Sequence, residues 1–159
     1  VSRYGVKARI AEVFAAEPAL AGLTVVTEWP GDNAKDSMLI LGEMTGQLAT
    51  TTIGRGPQRL VTDEFTIVCV LGSAGHLLAE KACRAAEEQF TTIREVVRRL
   101  HRLTDPDGTA PDGDTADYAR IRSVNVGRFD GPNPVYPQPT KNAAVAGVID
   151  FELVCVADY

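Results

Sequence analysis

The chain predicts an α+β domain: a mostly antiparallel β-sheet with a long amphipathic helix and a short N-terminal helix packed on it. Three stretches carry that prediction. In 61–71, VTDEFTIVCVL, the side chains of Phe65, Ile67, Cys69 and Leu71 share one face, because strand side chains repeat every second residue. In 77–103, Leu78, Ala82, Ala85, Ala86, Phe90, Ile93, Val97 and Leu100 recur three or four apart and form one helical stripe. In 143–157, Ile149, Phe151, Leu153 and Cys155 alternate with Asp150, Glu152, Val154 and Val156. This last stretch mirrors the first, acid at the start and then apolar on both faces, so the two are expected to pair or to flank a common strand.

From the beginning of the chain, Val6, Ile10, Val13 and Phe14 predict a helix over 2–16, with Ser2 a candidate cap and Glu17-Pro18 its stop. Residues 23–29, LTVVTEW, read as a strand ended by Pro30-Gly31, and 32–36 read as a polar turn. Residues 38–41 read as a second strand, which Gly42 either bulges or ends. The segment 45–58 has β-branched residues at Thr50, Thr51, Thr52 and Ile53, flanked by Gly46, Gly54 and Gly56. It reads as a projecting β-hairpin or an extended loop. Its IGRGP run at 53–57 lacks the Lys-Ser or Lys-Thr of a phosphate loop, and no helix opens there, so a turn is the reading.

The strand at 61–71 carries Glu64 and Thr66 on its second face, then Val68 and Val70. That shift predicts a strand half solvated at its start and covered on both sides toward its end. Gly72-Ser73-Ala74-Gly75 is expected to break it, with Ser73 capping the helix that follows. Glu80 and Arg84 form an acid-to-base pair four apart, and Arg98, Arg99, His101 and Arg102 complement the negative helix end before Asp105-Pro106 stops it. Such a helix would be roughly 40 Å long and calls for a large sheet or a neighbouring subunit beneath it. The acidic run at 105–117 fails the EF-hand spacing and reads as a solvated loop, with a calcium site as the alternative.

Residues 118–130 predict a strand with Ile121, Ser123, Asn125, Gly127 and Phe129 on one side and Arg120, Arg122, Val124, Val126 and Arg128 on the other. The arginine side reads as a solvated face, with contact to an acidic partner as the alternative. In 131–139, Pro132, Pro134, Pro137 and Pro139 favour extended polyproline geometry. This segment is either an arm laid on a neighbouring subunit or a stiff connection between two strands.

At 159 residues the chain predicts one domain, 1–159, that buries roughly 70% of its unfolded surface without staples. A net charge of −5 and an isoelectric point near 5.0 argue against a nucleic-acid-binding surface. The absence of a long apolar run predicts no membrane span, and the amphipathic start predicts no secretion signal and hence cytosolic synthesis. Cys69, Cys83 and Cys155 are odd in number and far apart, so they read as reduced thiols acting as small hydrophobes. No close Cys or His pair offers a metal site. His76 and His101 would lie at opposite ends of one helix, more than about 30 Å apart, and cannot share a site within a subunit. No nucleophile elbow, zincin motif or dinucleotide fingerprint occurs. The expectation is therefore no enzyme, no cofactor and no metal, with a metal-dependent enzyme on the Asp-rich loop as a minor alternative.

An N-terminal amphipathic helix leads to a strand pair with a glycine-broken loop, then DEFTIVCVLGS, then AEKACRAAEEQFTTIREVVRRL, and finally GVIDFELVCVADY. This layout, over most of the chain, resembles the tail terminator proteins of long-tailed bacteriophages, in particular those of actinobacterial phages. The resemblance implies an α/β sandwich without catalysis, forming a hexameric ring that caps the tail tube and offers a surface to the head-side connector. The implied partners are other copies of the chain, the major tail tube protein, and the head–tail connector or stopper. DNA would pass through the lumen unread. The implied place is the virion neck, assembled in the host cytoplasm, with no membrane. On this reading the interface candidates are Arg55 and Pro57 in the projecting loop 45–58, Arg120, Arg122 and Arg128 on the basic strand face, and Pro134, Tyr136 and Pro137 in the proline-rich arm 131–139. Head-to-tail rings need two different complementary patches per subunit, and the basic helix end and strand face set against the acidic loop could supply them. The alternatives are another neck protein, whether connector, stopper or tail-completion protein, or a small cytosolic ligand-binding α+β dimer with a pocket under the long helix.

Overall fold

The computed structural model describes residues 3–29, 37–46, 62–100, 120–136 and 144–158. Helix α1 (Arg3–Ala16) is followed by a 3-10 turn at Pro18–Leu20, then by strands β1 (Thr24–Val26), β2 (Met38–Thr45) and β3 (Thr62–His76). Helix α2 (Ala79–Leu100) and strands β4 (Arg120–Val135) and β5 (Val145–Asp158) complete the described elements. The strands form one sheet in the order β1-β2-β3-β5-β4. β1 runs parallel to β2, and every other neighbouring pair is antiparallel. The class is α+β, with the mostly antiparallel sheet and two helices that the sequence predicts.

The two mirrored stretches pair directly. Phe65 stands opposite Cys155, Ile67 opposite Leu153, Cys69 opposite Phe151 and Leu71 opposite Ile149. All eight point to one face and are buried. Both helices cover that face: Ala82, Ala86, Phe90, Ile93, Val96, Val97 and Leu100 of α2 and Val6, Ile10 and Phe14 of α1 are buried with the strand residues in one core. Each large side chain among them contributes about 1.5–3 kcal/mol by leaving water. α1 ends where expected, since Glu17 takes the extended conformation that a following proline imposes.

The second sheet face carries no described helix. Val68 was expected to be covered but is 38% exposed, because both helices lie on the opposite side. Strand β1 is three residues, not the seven of 23–29, and Trp29 is exposed. β2 passes Gly42 with a register shift between Leu41 and Met44 and ends only at Thr45. A Cβ on Gly42 would come 2.9 Å from the Val68 carbonyl oxygen, so the bulge needs a glycine there.

The expected break at 72–75 does not occur. β3 continues to His76, with Gly72 opposite Val148 and Ser73 opposite Gly147. Pairing with β5 holds Gly72 and Ser73, and the register shifts between Ser73 and His76. The Ala74 N–H donates to Ser37 Oγ at 3.0 Å, so tertiary context overrides the local weakness of glycine in a strand. Ser73 caps no helix; it is buried in β3, with its Oγ 2.8 Å from His76 Nε2. His76 belongs to the strand, and α2 begins at Ala79. Gly147, opposite Ser73, marks the place where the helix closes on the sheet: a Cβ there would overlap the carbonyl of Ala82. Leu78, expected in the helix stripe, is 57% exposed. α2 is 22 residues, about 33 Å long, and 101–119, with the acidic loop and His101, lie outside the described residues.

A buried ion pair ties α1 to the sheet. Arg3 Nε and Nη2 donate to the two carboxylate oxygens of Asp63 at 2.7 and 2.8 Å, and Nη1 donates to the Gly46 carbonyl at 3.1 Å. The Asp63 side chain is 1% exposed and that of Arg3 23%.

The packing generates two expectations. Gly147→Ala should lower stability by about 1–3 kcal/mol through overpacking against α2. Gly72→Ala meets nothing within 4 Å and should stay within about 0.5 kcal/mol. Chemical denaturation of both variants checks this. Arg3→Ala removes the guanidinium that donates to both carboxylate oxygens of buried Asp63 and should cost about 3 kcal/mol by the same assay. A loss under about 0.5 kcal/mol would mean that the pair does not anchor α1.

Candidate assembly surfaces

The sheet has two edges open for pairing among the described residues. β4 is hydrogen-bonded to β5 alone. On the other side, β1 pairs only with Met38, Leu39 and Ile40 of β2. Among the described residues, 41–45 of β2 therefore have no strand partner on the side away from β3.

β4 is long, 16 residues, and irregular. Its register against β5 shifts between Ile121 and Ser123, between Val126 and Phe129, and between Asp130 and Asn133. Such bulges twist and bend an edge. They also undo the simple alternation the sequence predicts: Ile121 and Val124 are both buried, although an unbroken strand would set them on opposite faces. Phe129 lies 5.3 Å from Phe90 of α2 between ring centroids, and Phe90 lies 5.2 Å from Phe151. The Arg94 guanidinium sits 5.8 Å from the Phe90 centroid and 5.7 Å from that of Phe129. This arrangement holds the helix to the edge strand while Phe129 stays 52% exposed.

The proline-rich segment does not leave the sheet at 131. Asn133, Pro134 and Val135 pair with Val148, Gly147 and Ala146, so 131–135 extend the edge strand. At that end of the sheet β3 also finishes, with His76 opposite Val145. Val135, Tyr136, Leu77 and Leu78 are all exposed large apolar side chains there, Leu77 at 87%. Exposed apolar groups gathered at one rim mark an interaction surface more often than scattered ones do.

At the β2 edge, a cleft of about 420 Å³ is lined by Tyr4, Lys7 and Ala8 of α1, by Thr27 and Glu28 just past β1, and by Gly42, Glu43 and Met44. Lys7 is buried, and its Nζ donates to the Gly42 carbonyl at 2.7 Å. A smaller cleft of about 200 Å³ across β3, β5 and β4 is lined by Val68, Arg128, Phe129, Asp130, Asp150, Phe151 and Glu152. Asp130 and Asp150 are direct cross-strand partners. Among the described residues, no group of three His, Cys, Asp or Glu side chains could hold a metal ion. No helix among them is long and apolar enough to cross a membrane.

Burial pushes the Cys69 thiol well above its ordinary 9.0, with Cys155 adding to the effect and Lys7 opposing it. Burial also pushes Cys155 up to about 12. Both are free thiols, as is the half-buried Cys83.

No protein-family model and no curated protein matches the chain.

Of the residues singled out from sequence, Arg122, Arg128, Pro134 and Tyr136 lie on β4 or directly after it, all exposed. Arg120 is the first residue of that strand. Arg55, Pro57 and Pro137 lie outside the described residues, as do most of the loop 45–58 and the end of the arm 131–139. Sequence reasoning missed Leu77, Leu78 and Phe129 as surface groups; Leu78 fits the helix stripe by spacing, and Phe129 alternates with Ile121 along the strand. It also passed over Lys7, Glu28 and Glu43. A lysine inside the apolar stripe of α1 was the signal available for the first of these.

The thiols give a direct check. Native protein at pH 8 should be alkylated by iodoacetamide at Cys83 alone, with Cys69 and Cys155 reacting only in denaturant. The folded thiols keep their protons where unfolded ones lose them. Stability is therefore intact below the ordinary thiol value of 9.0 and should fall as pH rises from there toward about 12. Each thiol contributes at most about 1.4 kcal/mol per pH unit. Native labelling of Cys155 as fast as Cys83 would contradict this.

Proposed function

We propose that this protein is a structural component of a phage virion: a ring-forming tail terminator that caps the tail tube and joins it to the head-side connector. One observation carries the reading. The interface candidates that are described, Arg122, Arg128, Pro134 and Tyr136, fall on one free edge of the sheet and its continuation, and that edge ends among exposed Leu77, Leu78 and Val135. An edge strand with exposed apolar groups at its end suits docking against another protein surface. The α+β fold and the order of its elements support the same reading, because they agree with the layout on which the resemblance rests.

In this role the protein transforms no molecule and holds no cofactor. Its partners are further copies of itself, the tail tube protein, and the connector or stopper, with DNA passing through the lumen unread. It is made in the host cytoplasm and resides in the tail neck.

Electron microscopy and native mass measurement of purified protein, alone and mixed with tail tubes, test the reading. The expected result is a six-fold ring, or density at the head-proximal end of the tube. Leu77→Asp with Tyr136→Ala should leave the unfolding transition unchanged and abolish that density. Protein that neither forms rings nor decorates tubes would overturn the proposal, and rings that bind only the head-side portal would assign it to a different neck position.

A further inference from the structure

The two edges are complementary, and we infer that they pair with each other between copies: β4 of one subunit adds to the lane beside residues 41–45 of β2 in the next, which no described strand fills. The inference deepens the ring reading above and rests on it.

The direction of the strands permits the join. β2 opposes β3, β3 opposes β5, and β5 opposes β4, so β2 and β4 run in opposite senses within one subunit. A second copy placed alongside in the same orientation therefore presents its β4 antiparallel to β2, and no subunit has to be inverted. The two edges are different surfaces, so the contact is heterologous and repeats head to tail, which closes into a ring when the rotation allows.

The lane itself is defined by what stops short of it. β1 fills the position beside 38–40, and Thr27 and Glu28, past its end, line the cleft beside Gly42, Glu43 and Met44. The five residues 41–45 span roughly 17 Å at strand rise. On β4 the register against β5 is regular over 123–126, with shifts on either side. Pro132 and Pro134, which have no N–H to donate, lie beyond that stretch. The proline-free half of β4 can thus act as a partner strand, and the other half cannot.

Charge sets the pairing. Exposed Glu28 and Glu43 line the lane. Exposed Arg122 and Arg128 flank the regular stretch of β4. Joining like edges would set arginines against arginines or glutamates against glutamates, whereas joining unlike edges sets opposite charges together. Lys7 already occupies the Gly42 carbonyl, so the added ladder uses the edge groups on either side of that residue.

Two charge-reversed chains test the inference, read by native mass measurement and electron microscopy. R122E/R128E has two acidic edges, and E28R/E43R has two basic ones. All four positions are exposed, and unchanged unfolding transitions confirm that both chains fold. Each alone should associate at least about 100-fold more weakly than the natural chain. An equimolar mixture should restore assembly with the two chains alternating, because every junction then joins an acidic edge to a basic one. Either chain assembling alone like the natural protein, or a mixture that stays monomeric, overturns the edge pairing. If the natural chain forms rings while these outcomes occur, the ring reading stands and only the interface falls; if the natural chain never assembles, both fall.

Discussion

Leu71 faces Ile149, Cys69 faces Phe151, Ile67 faces Leu153 and Phe65 faces Cys155 across one antiparallel ladder, and the rest of the molecule is arranged by that register. Because the side-chain period is two, a slip of one residue would turn this set toward solvent and bring up Glu64, Asp150 and Glu152 in its place. The register therefore decides which face both helices cover. It also places Gly147 where α2 can descend to backbone contact at Ala82. With the apolar side spent on the helices, the second sheet face and the two edges carry no helix or further strand among the described residues.

Free edges are hazards as well as assets, since any unpaired strand can recruit another. This molecule limits both of its edges to short usable lengths. On β4 the limits are three register shifts and two prolines. On β2 they are β1 at one end, a bulge at Gly42, and a lysine ammonium on an edge carbonyl. Among the described residues, what remains without a strand partner on each side is a segment of about one short strand, with arginines at one and glutamates at the other. Limited, unlike edges favour a defined head-to-tail contact over open-ended aggregation.

The core could be read from the chain alone wherever the period was clean. β3, β5 and the buried stripe of α2 from Ala82 to Leu100 follow from alternation and from three-to-four spacing, and their mirrored charge pattern anticipated the direct pairing. Reading failed where tertiary contacts overrode local preference. The glycines at 72 and 75 read as a break because nothing in the sequence says that β5 will pair with Gly72 and Ser73 and, past an irregularity at 74–75, with His76. The prolines at 132 and 134 read as an arm or a stiff connection between strands, although an edge strand tolerates a missing donor. Bulges in β4 exchanged the predicted faces of Val124 and its neighbours, and a one-residue insertion leaves no periodic trace. For the surfaces, residue type identified Arg122, Arg128, Pro134 and Tyr136, but only the sheet order brings them to one edge. Glu28 and Glu43 gave no signal, because their relevance depends on how far β1 extends along β2.

Amide hydrogen exchange, comparing dispersed subunits with the assembled form, tests the central claim most directly: that copies of this chain join through the two edges of one sheet. Backbone amides within 41–45 and 123–126 should slow together by at least about tenfold on assembly, while those of α2 and the core of β3 and β5 remain as they were. Protection gained elsewhere, with both edges exchanging as fast in the assembly as in the subunit, would contradict it.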